Sequence, residues 1–220
     1  MELIANDAAT ALLHTGKLEA AKEILDPLLR DSHPQREIIV RGGYLELAFA
    51  QRSSRSFQKT LEAGRYDDAI FYMNEAHSAL DKGIDLLLKM ALPFLDGRNT
   101  NIKQIPGALS GLAKMGIVAS QMNQLAARNH QLAEIRDYGF SALKYAAQAL
   151  HYSTEALRVD PQNDHSFGIY KGTVQELENS LKLFEPQPWE AALLEDLRKV
   201  LERIDNDLSK NDFGVPDAPF

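Results

Sequence analysis

Six histidines stand at positions 14, 33, 77, 130, 151 and 165 of this 220-residue chain. They are the first residues to question for chemistry. No two are four positions apart, so no helix face carries a histidine pair for a metal, and no Glu-x-x-His run of the di-iron kind occurs. Cysteine is absent, which removes thiolate nucleophiles, disulfides and cysteine-based zinc sites. No glycine-rich loop of the phosphate-cradling type is present. The reading assigns no metal, no cofactor and no catalytic residue on this basis. Two other sets carry the chemistry of recognition. Arg36, Arg41, Arg52, Arg55, Lys59 and Arg65 make the densest positive stretch, either a solvated helix face or a docking surface for an acidic partner or RNA. Phe71, Tyr72, Tyr138, Phe140, Tyr145 and Tyr152 recur among alanines at helical spacing. Core packing is their default role, and any that face a groove become anchors for a partner helix or peptide. From the two sets, Arg41, Arg52, Arg55, Lys59, Tyr72 and Tyr145 emerge as candidate partner-binding residues.

The framework that must position them is helical throughout. Hydrophobic residues at 45% and charged residues at 25% give enough apolar surface for one core and no case for disorder. The net charge of −7 repels phosphate backbones at long range, so nucleic acid is disfavoured as a partner unless a local basic patch overrides it. Glu2 and Asp7 occupy the place where a secretory signal needs positive charge. The most apolar run, "IDLLLKMALPFL", is too short for a bilayer and contains Lys89 and Pro93. These features predict a soluble, cytoplasmic protein with no membrane association.

β signals are scarce, and spacing near 3.6 residues predicts helices over about 2–14, 17–29 (crossed by Pro27), 35–63 and 66–92. Gly42 and Gly43 predict a bend in the third, and the stripe Ala69, Met73, Ala76, Leu80, Leu87 and Ala91 predicts that the fourth is among the most buried. A loop over 93–106 leads to a helix beginning at Pro106, with Leu109, Leu112, Met115, Val118, Met122 and Leu125 on its core face. The spacing "GALSG" over 107–111 reads as a close helix contact. The pattern pauses near "RNHQLAEIRDYG" and resumes through Leu157 to the break at "VDPQND". Thr173 and Glu176 have capping-box spacing and predict a helix start. Trp189, Leu193, Leu197, Val200, Ile204 and Leu208 form a last seam that either closes the bundle or pairs with a second chain as a homodimer. The expectation is an all-α, up-and-down bundle of about eight helices: one domain over 1–210, comprising a hairpin over 1–34 and a bundle over 35–210, with a flexible tail over 211–220.

Two stretches resemble known families. "AATALLHTGKLEAAKEILDPLLRDSHP" is similar to a tetratricopeptide repeat, with Ala9, Leu12, Gly16, Leu18, Ala21, Leu25 and Leu28 at its small, turn and apolar positions. Gly64, Tyr66, Ala69, Met73 and Ala76 repeat the turn half, and Ala149, Ala156 and Pro161 the closing half. Gly16 and Gly64 are farther apart than the family's period of about 34 residues, so the resemblance implies hairpins attached to a bundle rather than a regular array. It also implies a groove that binds another protein. "FQKTLEAGRYDDAIFYMNEAHSALDKGIDLLLKM" resembles the first hairpin of HEPN domains, helical bundles that include RNases of defence and toxin systems. That resemblance implies a catalytic Arg with a His a few positions on. Arg128 and His130 are too close together for the motif. Arg158 and His165 have an allowed spacing, with Val159 and Pro161 between them, and are the runner-up catalytic pair. The leading expectation is a non-enzymatic interaction or adaptor protein that binds a protein partner through a helical groove. The alternative is a HEPN-like RNase or an inactive relative.

Overall fold

A computed structural model describes residues 2–97, 104–129 and 135–184, together with positions 132, 195 and 199. The chain divides into two units, Met1–Leu183 and Phe184–Phe220. The expected seam from Trp189 to Leu208, the tail over 211–220 and the division at residue 210 fall in the second and lie outside the described residues, apart from Glu195 and Lys199. Among the described residues there are seven helices and no strand. None of these helices is long and apolar enough to cross a membrane.

Helices α1 (Glu2–His14) and α2 (Leu18–Leu29) form the first hairpin, and α3 (Arg36–Glu62) and α4 (Tyr66–Leu95) the second. Both turns are built alike. Gly16 and Gly64 adopt φ of 72° and 70°, in the left-handed region where a side chain is strained. Lys17 N–H reaches back to Leu12 O at 2.9 Å and Gly16 N–H to Leu13 O at 3.1 Å. Arg65 and Gly64 do the same to Thr60 and Leu61. This is the Schellman closure, which satisfies carbonyls that the helix end leaves open. Within the first hairpin Ala9 and Ala21 are fully buried, and with Leu18 and Leu25 they pack on Ile38 and Leu45 of α3.

The bundle continues with α5 (Ile105–Ala127), α6 (Ile135–Val159) and α7 (Asp164–Leu181). Two contacts along a pair fix its direction. Gly43 of α3 meets Leu87 of α4 as Glu46 meets Gly83, and Gly83 of α4 meets Met115 of α5 as Leu87 meets Gly111, so α4 opposes α3 and α5. Ser110–Ser166 and Ser120–Ser180 make α5 and α7 parallel, and His77–Tyr145 with Phe94–Arg158 makes α4 and α6 parallel. Gly116 of α5 meets Ala149 of α6, and Ser153 of α6 bonds Thr173 of α7 at 2.9 Å. Helices α3, α5 and α7 therefore run one way, and α4 and α6 the other.

Helix α3 runs through Gly42 and Gly43 without interruption. The second of these glycines is there for close approach: a Cβ on Gly43 would fall 2.5 Å from Leu87 Cδ2, and one on Gly111 2.6 Å from Leu87 Cδ1. Leu87, fully buried, fills the space that two missing side chains leave between three helices, which accounts for the "GALSG" contact. The helix from Tyr66 does bury Met73 and Leu80, but the axis of the bundle is α5. It is buried on nearly every side, down to Ser110, Ser120, Asn123 and Gln124, because α3, α4, α6 and α7 all pack on it.

The expected helix start at Thr173 is wrong. Helix α7 begins ten residues earlier, where the Asn163 side chain accepts the Ser166 N–H at 3.1 Å. Thr173 and Glu176 are buried inside the helix. The Thr173 hydroxyl bonds the Tyr170 carbonyl, and Glu176 accepts from Gln121 at 3.2 Å and from Gln124. Capping-box residue types served here as an interhelical polar contact. Helix α4 also extends past the expected stop at Pro93 to Leu95. In the last turn a proline costs one backbone hydrogen bond while its fixed φ still suits the helix.

Candidate functional site

The parallel pair α3 and α5 leaves a trough on the bundle surface, bounded by the end of α1 and the start of α7. It holds a pocket of about 580 Å³, within the usual range for binding sites. Leu13, Leu47, Ile117 and Val118 contribute apolar wall, and His14, Arg41, Lys114 and His165 the charged or titratable groups. No Asp or Glu is among the described lining residues.

Each cation is set by its helix. Tyr44 donates its hydroxyl to Gly107 O at 3.1 Å, which ties α3 to the start of α5. Burial raises the Tyr44 pKa, opposed by Arg41, so the ring stays neutral. The Lys114 ammonium lies 5.5 Å from the centroid of that ring and 3.1 Å from His165 Nε2. Burial holds the Lys114 pKa below its ordinary value. Burial and then the Lys114 charge hold that of His165 down, which favours a neutral imidazole whose Nε2 accepts a hydrogen bond from the Lys114 ammonium. Arg41 Nε is buried without a hydrogen-bond partner. The pocket therefore gathers cationic and titratable side chains with no carboxylate in its described lining, and the guanidinium of Arg41 and the ammonium of Lys114 are what an anion there would meet.

A smaller depression of about 260 Å³ lies on the other side of α3, lined by Lys22, Glu46, Phe49, Arg52, Glu75 and Lys82 among others. Its cations are already engaged. Arg52 pairs with Glu19 and stacks 4.9 Å from the Phe49 centroid, with Lys22 5.6 Å from the same ring. Burial raises the Glu46 pKa, against the pull of Lys22 and Lys82.

The six residues expected to bind a partner therefore sit in different places. Arg41 lines the larger pocket and Arg52 the smaller. Arg55 and Lys59 are exposed farther along α3, within about 40° of Arg41 on the helix at 100° per residue. Tyr72 packs edge-on to Phe71 at 5.4 Å. Tyr145 faces His77 at 6.1 Å, with its pKa raised by burial and by Asp81. Neither tyrosine lines the larger pocket.

Arg158 pairs with Glu155 at 2.8 Å and lies over the Phe94 ring, whereas His165 meets Lys114. Arg128 is exposed at the end of α5, and His130 lies outside the described residues. Sequence reasoning missed Tyr44 and Lys114. A lone lysine inside the apolar run "ALSGLAKMGIV" was the available signal. Among the described residues no three His, Asp or Glu side chains gather for a metal ion. The arrangement is suited to holding an anion with an apolar stem, since its lining offers donors and walls but no carboxylate base. Comparison of the chain with protein-family models, with curated proteins and with solved structures finds no match.

Proposed function

We propose that this is a non-enzymatic interaction protein whose α3–α5 trough docks an acidic, amphipathic helical segment of a partner protein. The observation that carries the reading is the absence of any carboxylate from the described lining of a pocket that holds Arg41, Lys114, His14 and His165, in a chain of net charge −7. Such a chain has acidic residues in excess, yet this trough is lined without them. An acidic helix laid along it places apolar residues on Leu13, Leu47, Ile117 and Val118 and carboxylates toward the cations, which is helix-in-groove recognition. Arg55 and Lys59 extend the positive edge for the segment's next turns. Opposite potentials speed encounter and exclude acidic grooves as competitors. The hairpin resemblance to tetratricopeptide repeats supports the same class of function by analogy alone.

The RNase alternative has less support, because Arg158 is held by Glu155 and Phe94 while His165 faces Lys114. Affinity capture from a native extract, with sequencing of any co-purified RNA, tests the choice. The proposal expects a protein partner that is retained by wild type and by Arg158→Ala, and lost with Lys114→Glu. Capture unaffected by Lys114→Glu, or metal-free RNA degradation abolished by Arg158→Ala or His165→Ala, overturns it.

A further inference from the structure

We infer that the inner end of the trough is a phosphate-monoester subsite, so that the docked partner segment is anchored by a phosphorylated side chain. The inference rests on the trough being the docking surface and adds the chemistry of its anchor. Three donors line one pocket from three helices: the Arg41 guanidinium on α3, the Lys114 ammonium on α5 and the His165 imidazole on α7. A carboxylate has two coplanar oxygens and a single negative charge. A phosphate monoester presents three terminal oxygens to three directions and carries a charge of about −1.5 to −2 at neutral pH. Its third terminal oxygen and larger charge suit three cationic or titratable donors arriving from separate elements better than a carboxylate does.

The state of these donors in the free protein points the same way. Arg41 lines the pocket with no carboxylate beside it in the described lining. The Lys114 ammonium spends a hydrogen bond on His165, itself a group that becomes a second cation on protonation. Nothing negative in the described lining compensates either. A dianion compensates all three at once: it pairs with the Arg41 guanidinium, offsets the Lys114 charge and makes the protonated form of His165 favourable. The imidazole then turns from acceptor to donor, and binding draws in a proton. Lys114 of α5 faces His165, and the other titratable or charged groups of the same pocket are Arg41 and Tyr44 of α3 and His14 of α1, with Asp164 next to His165 in sequence. The wall residues Leu13 and Ile117 receive the stem that carries the phosphate.

The probes are phenyl phosphate, phenylacetate and inorganic phosphate, each titrated into the whole protein by calorimetry at pH 6, 7 and 8. Phenyl phosphate is expected to bind about tenfold or more tightly than phenylacetate, reflecting the additional charge-assisted bonds. Inorganic phosphate, which lacks the stem, is expected to bind more weakly than phenyl phosphate. Arg41→Lys keeps the charge and loses the fork, and should weaken phenyl phosphate about tenfold. Lys114→Met should weaken it by at least as much, and circular dichroism confirms that both variants are folded. His165→Asn should remove the proton uptake measured in buffers of different ionisation enthalpy. Equal affinity for phenyl phosphate and phenylacetate, or phenyl phosphate binding unaltered by both Arg41→Lys and Lys114→Met, overturns the inference. A protein partner still lost with Lys114→Glu under those outcomes would leave the docking reading standing with a carboxylate anchor. Loss of both would end both.

Discussion

The two depressions flanking α3 contain similar side chains and differ in how those side chains are compensated. Arg52 and Arg41 are only about 20° apart on the helix, since eleven residues at 100° make three turns and a small remainder. Yet Arg52 leans over Phe49 to Glu19 of α2, while Arg41 enters a pocket with no acidic residue in its described lining and keeps a buried, unbonded Nε. In the smaller depression Lys22 and Lys82 share their surroundings with Glu46 and Glu75. In the larger one Lys114 has a histidine and a tyrosine ring. Cations that bring their own counter-charge contribute to the fold. Cations set among apolar walls without it are a cost to the free protein, and that cost is recovered only when an anion arrives.

The largest expected effect tests whether the trough's wall is part of the core. Leu47 is 4% exposed, so Leu47→Ala should cost about 2–5 kcal/mol through lost burial and the cavity left behind. Urea unfolding measures it. A cost below about half a kcal/mol would mean that the wall is loose, and the contrast between a rigid trough and a salt-bridged cleft would fail.

A smaller effect, in opposite directions, separates the two sets of cations. Lys114→Met keeps the apolar stem and removes an uncompensated charge, and should raise stability in the absence of ligand by roughly 0.5–2 kcal/mol, the usual gain when a functional conflict is relieved. Arg52→Met removes an exposed pair with Glu19 and should lower stability only slightly, as solvent screens it. Thermal unfolding of the two variants side by side decides the matter. If both destabilise equally, the distinction is wrong.

The smallest effect is pH dependence. The His165 pKa is lower in the folded protein than in the unfolded chain, chiefly through burial and then through Lys114. The unfolded state therefore binds more protons below about pH 6.5, and the stability associated with neutral His165 is present above that value and lost as pH falls through the folded pKa. His165→Asn should flatten this slope below about pH 6.5, and since His165 is exposed the change is small. His77, whose pKa burial lowers against Asp81, keeps its own slope in the variant. Arg52→Met should leave the profile over this window unaltered. A His165→Asn profile superimposable on wild type would show that the imidazole is not coupled to the trough.

Much of the scaffold was legible because its signals are local. Gly16 and Gly64 marked hairpin turns, since few other residues take a positive φ where a helix must stop. Pro106 sits in the first turn of α5, as its missing N–H favours. Thr173 and Glu176 misled because a capping box and an interhelical polar contact use the same residue types. Only the burial of Glu176 against Gln121 and Gln124 distinguishes them. Asn163 was the true cap, hidden within a stretch read simply as a break.

The sequence by itself determined that the described chain is helical and where most helices begin and end, because capping, turn geometry and periodicity act over a few residues. It also showed which residues were cationic. It did not determine which cation would find a carboxylate. Arg41 and Arg52 have nearly the same helical phase on one helix, and their difference arises from what α1, α2, α5 and α7 bring beside them. That pairing joins Lys114 to His165, 51 residues away, and Arg52 to Glu19, 33 residues away. Electrostatic compensation depends on distances of a few ångströms between segments remote in the chain, and only tertiary packing sets those.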